Sequence, residues 1–312
     1  MDILRLTLRQ LQIFVAVAQC GTTMAASAQV ALSQSATSSA VNELERLLSL
    51  RLFDRAGKRL LLNDNGRALL PRALALLDGA TGIEKMSRSG LAQSQSLRIG
   101  ASSTIGNYVL PQLLAGYLSA MRLETAPAWQ SSVMIGNTET VCEAVANFEI
   151  DVGLIEGPCH QATLQVRPWL QDELVVVAGL SHPWVNAMQP SGGTAPISLA
   201  ALREAIWLLR EPGSGTREAT DQWLLPHLRS HRRSIEIGSS EAIKHAAAQG
   251  LGVACLSYWV VKDLIDAAQL IRVDTTLPKM VRQCHIVVHH DKHPTPALTH
   301  FLDQAMALVT AP

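Results

Sequence analysis

Residues 22–48 read TTMAASAQVALSQSATSSAVNELERLL, and the spacing of small, polar and apolar residues in this stretch decides the fold of the N-terminal region. Thr22 or Thr23 can cap a short helix whose alanines allow a neighbouring helix to pack closely. Val30-Ala31-Leu32 is typical of a tight turn, and Ser33 after it is a suitable N-cap. The stretch therefore predicts two helices joined by a short turn.

The second of these helices has two different faces. Its apolar stripe, which we expect to be buried, consists of Thr37, Val41, Leu44 and Leu48. The opposite face carries only small hydrogen-bonding side chains, which suit insertion into a DNA major groove. Any amphipathic helix has a polar face, so this pattern alone leaves a purely structural role open. The candidate DNA contacts of the helix pair are Thr23, Ser33, Gln34, Ser35, Ser38, Ser39 and Asn42.

A basic segment follows at residues 50–63, LRLFDRAGKRLLLN. Its glycine turn between apolar runs predicts a β-hairpin, or wing, whose Arg55, Lys58 and Arg59 can reach phosphate or the minor groove. A solvated loop would explain the charges equally well if the segment stood alone. From about Asp64 to about residue 92 the apolar spacing predicts one long helix, with Asn63 or Asp64 as its N-cap.

Charge is unevenly distributed along the 312 residues, although the formal net charge is zero. Residues 1–93 hold 11 Lys/Arg against 7 Asp/Glu, whereas residues 94–312 hold 15 against 19. A basic head on an acidic body favours a nucleic-acid-binding module joined to another domain. The chain has no long uninterrupted apolar run, and its start lacks the pattern of a secretory signal. We therefore expect a soluble, cytoplasmic protein.

From Leu97 onward, strand-like runs alternate with helical stretches, which predicts an α/β domain with a largely parallel sheet. The clearest strands are expected at 97–100, 133–136, 151–155, 174–178, 205–209, 252–256 and 285–288.

Two strand-to-helix segments in this region carry hydroxyl groups and flexible backbone. They are residues 100–108, GASSTIGNY, with a helix expected from about Val109, and residues 211–217, EPGSGTR. Free amides at a helix N-terminus favour an anion, and open α/β sheets bind ligands at the carboxyl ends of strands. Both segments are also explained as ordinary turns capped by Ser or Thr. No lysine precedes Thr216, so the second segment does not support a nucleotide triphosphatase.

The N-terminal motifs resemble the signature of LysR-type transcription regulators, and the resemblance extends over nearly the whole chain. The residues that carry it are Leu8-Arg9-Gln10-Leu11, Phe14, Val17-Ala18, Ala25-Ala26, Ser33-Gln34-Ser35-Ala36, Leu44-Glu45, Leu52-Phe53-Asp54-Arg55 and Asn65-Gly66. Two departures concern the operator sequence, because the family commonly has Pro where this chain has Ser35 and often Arg where it has Ser39.

This resemblance implies a winged helix-turn-helix over residues 1–65, a linker and dimerisation helix over 66–93, and a two-lobed effector-binding domain over 94–312. The effector domain would have the fold of periplasmic solute-binding proteins, with lobe I at about 94–167 and 270–312 and lobe II at about 168–269. The implied partners are double-stranded DNA, a small-molecule effector, further copies of the chain in a dimer or tetramer, and RNA polymerase.

The stretch Ser102–Asn107 most resembles regulators of sulfur assimilation and carbon fixation, which implies a small anionic effector. Mapped onto this chain, the resemblance places Ser102, Ser103 and Thr104 in one lobe, and Thr216 with its loop residue Ser214 in the other. Further expected lining residues are Asn137, Thr138 and Glu156. A carboxylate at Glu156 would disfavour a dianion unless it pairs with Arg210 or Arg217.

Other functions are less well supported by the sequence. It contains no GxSxG, HExxH, paired-cysteine or dinucleotide motif, so we expect no enzyme activity, cofactor or metal. A solute-binding protein is disfavoured by the DNA-binding head and the missing signal sequence. A regulator that responds to metal or to oxidants stays open. It would use His289, His290 and His293, or Cys142 and Cys159, although dispersed cysteines are more often reduced core residues.

Overall fold

The structure, a computed structural model, describes residues 5–57, 59–89, 96–120, 131–188 and 196–310. The chain divides into two compact units, one formed by residues 1–94 with 291–293 and the other by the remaining residues. Among the described helices, none combines the length and the apolar character that crossing a lipid bilayer requires.

The first unit is mainly helical. Its elements in chain order are α1 (Leu8–Cys20), α2 (Thr23–Gln29), α3 (Gln34–Leu48), β1 (Phe53–Ala56), β2 (Arg59–Leu62) and α4 (Asp64–Ser89). β1 and β2 pair antiparallel, with Phe53 opposite Leu62, and Gly57 at φ 63° forms their turn. The predicted basic wing is therefore a hairpin, although Lys58 itself lies outside the described residues.

Hydroxyl and amide caps start these helices where the sequence predicts them. The Thr22 hydroxyl accepts from the Ala25 amide at 3.2 Å, and the Ser33 hydroxyl accepts from the Ala36 amide at 3.1 Å. Of the two candidate caps of α4, Asn63 takes the role, because its Oδ1 accepts from the Gly66 amide at 3.0 Å. Each cap satisfies an amide that the first turn of a helix leaves without a partner.

Gly66 is required by the close approach of α4 to the base of the wing. A Cβ added there would lie 2.2 Å from the carbonyl oxygen of Leu52, which is far inside van der Waals contact. Leu52 itself is fully buried, as are Phe14 and Leu44 in the same unit. The packing of α1, α3 and the wing thus depends on a residue without a side chain at this position.

The second unit is an α/β domain. Its strands are β3 (Arg98–Ser102), β4 (Ser132–Gly136), β5 (Val152–Glu156), β6 (Leu164–Gly179), β7 (Ile206–Leu209), β8 (Arg233–Glu236), β9 (Val253–Ser257), β10 (Leu270–Arg272) and β11 (Met280–His289). Its helices are α5 (Ser103–Tyr108), α6 (Leu110–Ala120), α7 (Thr138–Ala146), α8 (Pro183–Met188), α9 (Leu199–Glu204), α10 (Gly215–Leu228), α11 (Ser240–Ala248), α12 (Tyr258–Asp266) and α13 (Pro296–Thr310).

Two parallel regions flank a pair of long crossing strands. The strand order is β4-β3-β5-β11-β6-β9-β7-β8, and β10 pairs with β6. β3 runs parallel to β4 and β5, and β7 runs parallel to β8 and β9, whereas β6 and β11 are antiparallel to each other and to their other neighbours. We call the side of β3, β4 and β5 the first lobe and the side of β7, β8 and β9 the second lobe.

The expectation of a largely parallel sheet is wrong, because half of the strand pairs in this sheet are antiparallel. Alternating helices and strands do not reveal that β6 and β11 cross from one lobe to the other. The predicted strand at 174–178 is only the end of the 16-residue β6. The short strands β8 and β10 are not predicted, and the four residues of β8 are all exposed, so they lack the apolar alternation that marks a strand.

Each lobe has its own apolar cores. Ile99, Tyr117 and Phe301 are fully buried in the first lobe, and Trp207 and Leu224 are fully buried in the second. Leu270 and Met280 also pack in the cores of the second lobe. The second lobe therefore extends beyond the predicted boundary at residue 269, and the chain returns to the first lobe along β11.

Candidate functional site

The recognition helix α3 buries one edge and exposes the other. Thr37, Val41 and Leu44 are buried, as the apolar spacing predicts, whereas Leu48 is only half-buried because it lies at the C-terminal end of the helix. On the other edge, Ser35, Ser39 and Asn42 are exposed. This edge therefore offers hydroxyl and amide groups to a partner, and the Ser35 hydroxyl also shares a hydrogen bond with the Ser33 hydroxyl at 3.0 Å.

Part of this exposed edge lines a concave surface of about 230 Å³ shared with α2 and the wing. Its lining residues are Thr23, Gln34, Ser38, Val41, Asn42, Glu45, Arg51, Phe53, Arg55, Gly57, Arg59 and Leu60. Six of the ten predicted DNA-contacting residues are among them. Ser33, Ser35 and Ser39 are exposed but lie outside this set, and Lys58 is outside the described residues.

Glu45 holds the wing against the recognition helix, and the sequence reasoning did not assign it this role. Its side chain is 8 % exposed, and its Oε1 accepts from the amides of Leu52 at 2.8 Å and Phe53 at 3.4 Å. Its Oε2 accepts from Arg51 at 3.0 Å. A carboxylate next to the buried stripe of α3 was the available signal, because an acid is buried in that position only with donors.

In the second unit, four of the predicted effector-binding residues form one buried cluster. Glu156 lies at the end of β5, where its Oε2 accepts from the Ser102 hydroxyl at 2.5 Å and its Oε1 accepts from the Thr216 hydroxyl at 3.5 Å. The Thr138 hydroxyl donates to the Glu156 carbonyl at 3.0 Å and accepts from the Gly215 amide at 3.2 Å. Residues of β3, α7 and α10 thereby meet around Glu156.

Three of the other four predicted residues hold the local backbone. The Ser103 hydroxyl donates to the Gly136 carbonyl, Asn137 caps α7, and Ser214 caps α10. The helix expected from about Val109 is α6, which begins at Leu110, and the structure adds the short helix α5 before it, with Ser103 as its first residue.

Arg282 on β11 enters the same cluster from the crossing strand, and the sequence reasoning missed it. Its Nη1 donates to the Thr216 hydroxyl at 3.0 Å, and its Nε donates to Asp172 Oδ2 on β6 at 2.8 Å. Both side chains are nearly inaccessible, with Arg282 5 % and Asp172 1 % exposed. The strand expected at 285–288 did not reach Arg282, so no local signal indicated that this arginine is buried. A charge is buried in this way only with a partner.

This ion pair sets the electrostatics of the cluster. Burial raises the pKa of the Asp172 carboxyl, although Arg282 opposes that shift. Burial alone would lower the pKa of Arg282, but the carboxylates of Glu156 and Asp172 outweigh it, so the net shift is upward.

The predicted partners of Glu156 pair elsewhere: Arg210 contacts Glu211 at 2.7 Å and Arg217 contacts Asp221 at 2.8 Å.

One hydroxyl in this region has no hydrogen-bond partner among the described residues. It is the buried Thr104 hydroxyl, on α5 beside Ile105. Arg282 Nη2, in contrast, forms an ion pair with Asp172 Oδ2 at 2.6 Å. Leaving a buried donor without an acceptor costs about 1–3 kcal/mol, so the Thr104 hydroxyl favours an additional acceptor in the site. A larger cavity of about 510 Å³ lies on the open surface of α10 and includes only Ser214 of the predicted residues.

The histidines and cysteines considered for a metal or redox response are placed differently. His289 is buried against Phe148, with ring centroids 4.2 Å apart, whereas His290 and His293 are exposed. Cys142 and Cys159 do approach each other, with their Sγ atoms 3.5 Å apart.

Comparison with known proteins finds a matching family for each of the two parts of the chain. Residues 8–67 match the family described as "Bacterial regulatory helix-turn-helix protein, lysR family", and residues 92–309 match the "LysR substrate binding domain".

The chain is 45 % identical over 300 residues to the uncharacterized HTH-type transcriptional regulator YeiE of Escherichia coli, covering 96 % of this chain and 97 % of the relative. It is 33 % identical over 258 residues to the HTH-type transcriptional regulator CysL of Bacillus subtilis, covering 82 % of each. Among solved structures, the regulatory domain of CcmR from Synechocystis in complex with 2-PG aligns with a TM-score of 0.57 and 28 % identity, covering 69 % of this chain and 97 % of that one.

Proposed function

The chain belongs to the LysR family of DNA-binding transcription regulators, and we propose that a small anion bound between its two lobes controls its action on DNA. The observation that carries this proposal is the buried Thr104 hydroxyl, which has no hydrogen-bond partner among the described residues, near the hydroxyls of Ser102 and Thr216 and the Arg282 guanidinium. An anion has the acceptor oxygen that the Thr104 hydroxyl lacks.

The charges of the cluster restrict which anion fits. One guanidinium, Arg282, faces two carboxylates, Glu156 and Asp172. A fully charged dianion would face this excess of negative charge at close range, unless a carboxyl group takes up a proton. We therefore infer that the site selects a monoanion. An oxyanion that keeps one proton and donates a hydrogen bond through it to Glu156 would also fit. The 2-PG in the CcmR domain supports a small anionic effector by analogy.

On the DNA side, the proposed interface is the concave surface of α2, α3 and the wing. The polar edge of α3 would contact base edges in a major groove, while Arg55 and Arg59, together with Lys58, would contact phosphate or the minor groove. Ser33, Ser35 and Ser39 would complete the contacts at the exposed edge. Because a recognition helix of this type works in pairs, we infer a dimer or tetramer that binds two half-sites and engages RNA polymerase.

The domain assignment that goes with this proposal has three parts. Residues 1–65 would form the DNA-binding domain, residues 66–93 the linker and dimerisation helix, and residues 94–312 the effector domain. A regulator of chromosomal DNA would act in the cytoplasm.

The proposal is tested by DNA affinity with and without anions. Duplexes are first selected from a random library with the full-length protein, and the affinity for the selected duplex is then titrated against phosphate, sulfate, sulfite, thiosulfate, simple carboxylates and 2-PG. We expect one anion class to change the affinity by roughly 5-fold or more, the lower range of allosteric coupling.

The matched variants are Thr104→Val with Thr216→Val, and Thr220→Val as the control. Thr220 is also buried on α10, but its hydroxyl donates to the Cys255 carbonyl at 3.3 Å and not to the cluster. The double variant should bind the selected duplex and lose the anion response, and the control should retain it. An anion response of the double variant equal to that of the original protein would refute the proposed site.

A further inference from the structure

Cys142 and Cys159 lie next to the proposed effector site and have no part in it. Cys142 is on α7 and only 3 % exposed, whereas Cys159 is half-buried in the segment that follows β5. Their Sγ atoms are 3.5 Å apart, and the Cys142 thiol donates to the Cys159 sulfur. Both are free thiols, and a disulfide between them would require the sulfurs to approach by a further ~1.5 Å.

The two thiols differ in protonation. The hydrogen bond from Cys142 lowers the pKa of Cys159 to about 6 against the opposing effect of burial, with additional help from a backbone hydrogen bond at Gln161 and the charge of His160. The same hydrogen bond and burial raise the pKa of Cys142. The hydrogen bond therefore favours the thiolate at Cys159, which is partly open to solvent, and the protonated form at Cys142. A thiolate is the reactive form of cysteine.

The other cysteines lack this combination. Burial raises the pKa of both Cys255 and Cys284 to about 12. Cys20, in the first unit, is half-buried and shares a hydrogen bond with Gln29 at 3.2 Å. These three therefore serve as internal references for thiol reactivity.

We propose that Cys142 and Cys159 are a redox-active pair that a hydroperoxide converts to an intramolecular disulfide, with Cys159 as the attacking thiol and Cys142 as the resolving thiol. The Cys159 thiolate attacks one peroxide oxygen, the O–O bond breaks, and the leaving oxygen takes a proton to give water or an alcohol. The Cys142 sulfur then attacks the resulting sulfenic acid, loses its proton, and displaces hydroxide, which leaves as water. Two electrons pass from the two sulfurs to one peroxide molecule.

The position of the pair connects this reaction to the lobes. Cys159 follows Glu156 by three residues, and the intervening Gly157, at φ +102°, packs so closely on Gly215 that an added Cβ would lie 3.2 Å from the Gly215 Cα. Cys142 lies on α7, whose first residue Thr138 contacts both Glu156 and Gly215. Drawing the segment after Gly157 toward α7 would change the contacts of the first lobe with α10. We expect a change in anion affinity of roughly 5-fold or more, and this consequence rests on the proposed function.

The disulfide is tested on the full-length protein by adding one equivalent of hydrogen peroxide and mapping the peptides under denaturing, non-reducing conditions. The expected result is a linked peptide pair that contains Cys142 and Cys159, with Cys20, Cys255 and Cys284 still free. In Cys142→Ser, a sulfenic acid at Cys159 should accumulate and be trapped by dimedone. Cys20→Ser is the matched control and should form the linked pair as the original protein does.

Two further readouts separate the parts of the proposal. The rate at which iodoacetamide alkylates Cys159 should rise with pH through a midpoint near the pKa of about 6, and Cys142→Ala should move that midpoint upward. If Cys159 stays reduced, or oxidises without linking to Cys142, the redox pair is overturned. If the disulfide forms and an anion binds equally well before and after, only the connection to the lobes is overturned. A protein that forms the disulfide but responds to no anion contradicts the proposed function and leaves the redox pair intact.

Discussion

The two units present their functional residues in opposite ways. In the first unit, the proposed DNA contacts lie on α2, α3 and the hairpin, and those that the structure describes have exposed or half-buried side chains. In the second unit, Ser102, Thr216 and Glu156 are buried; both hydroxyls bond to Glu156, and the bond from Thr216 joins the two lobes. A surface site can therefore be recognised from one segment of sequence, whereas a site between lobes depends on residues that only the fold brings together.

The largest expected effect comes from breaking the buried ion pair in the second unit. Arg282→Ala leaves Asp172 and Glu156 without their cation, so we expect a loss of about 3–5 kcal/mol in the free energy of unfolding. All six tryptophans lie in residues 95–312, so tryptophan fluorescence during urea unfolding reports on this unit alone.

The paired replacement Arg282→Met with Asp172→Leu removes both charges of this ion pair. It should recover much of the lost stability, because an apolar pair of similar volume often replaces a buried ion pair at little cost. An unchanged unfolding midpoint in Arg282→Ala would show that the charges are solvated, and it would remove the contrast between the two units.

A smaller loss of stability is expected from removing the buried carboxylate of Glu45 in the first unit. Glu45→Ala leaves the amides of Leu52 and Phe53 without their acceptor. The free energy needed to open the wing away from α3 should therefore fall by about 1–3 kcal/mol. Hydrogen–deuterium exchange at these two amides measures the change directly. Glu43→Ala is the control on the same helix, because Glu43 pairs with the exposed Arg46 and its loss should leave the two amides protected. Equal protection in both variants would contradict the role of Glu45.

The smallest effect on the protein itself is expected from the wing arginines. Arg55→Gln with Arg59→Gln should leave the fold unchanged, because both side chains are exposed. The plot of log affinity against log salt concentration for a duplex has a negative slope. The double variant should make that slope less steep by about 2, one unit for each lost phosphate contact. Arg46→Gln, on the same unit but outside the concave surface, should not change the slope. A salt slope that stays the same in the double variant would remove the wing from the interface.

The extent to which the sequence predicts each unit follows from the range of the interactions. Ser33 is predicted as a cap, and Asn63 or Asp64 as the next one, because a cap and the amide it binds are three residues apart. Arg282 and Asp172 are 110 residues apart and were missed, because nothing local indicates that β6 and β11 run side by side. The same gap explains why the sheet was expected to be largely parallel.

Thr104 was predicted from its loop, but its missing partner is visible only in the fold. The hydroxyl is buried by the elements packed around α5, and its lack of an acceptor distinguishes it from the hydroxyls that cap helices. The sequence pattern of the loop is the same for a capping and for a ligand-binding hydroxyl. The structure therefore separates Thr104 from Ser103 and Ser214, which the sequence reasoning grouped with it.

The measurement that tests the anion site most directly is the thermal unfolding midpoint in the presence of each anion of the same panel. Tryptophan fluorescence monitors the unfolding. A ligand that binds only the folded state raises the midpoint by mass action. Thr104→Val should keep the ligand-free midpoint, because its hydroxyl has no described partner to lose, and should lose the anion shift. Thr220→Val should show the reverse, a lower ligand-free midpoint with the anion shift retained. An anion shift in Thr104→Val equal to that of the original protein, or no shift of the original protein with any anion, would contradict the account.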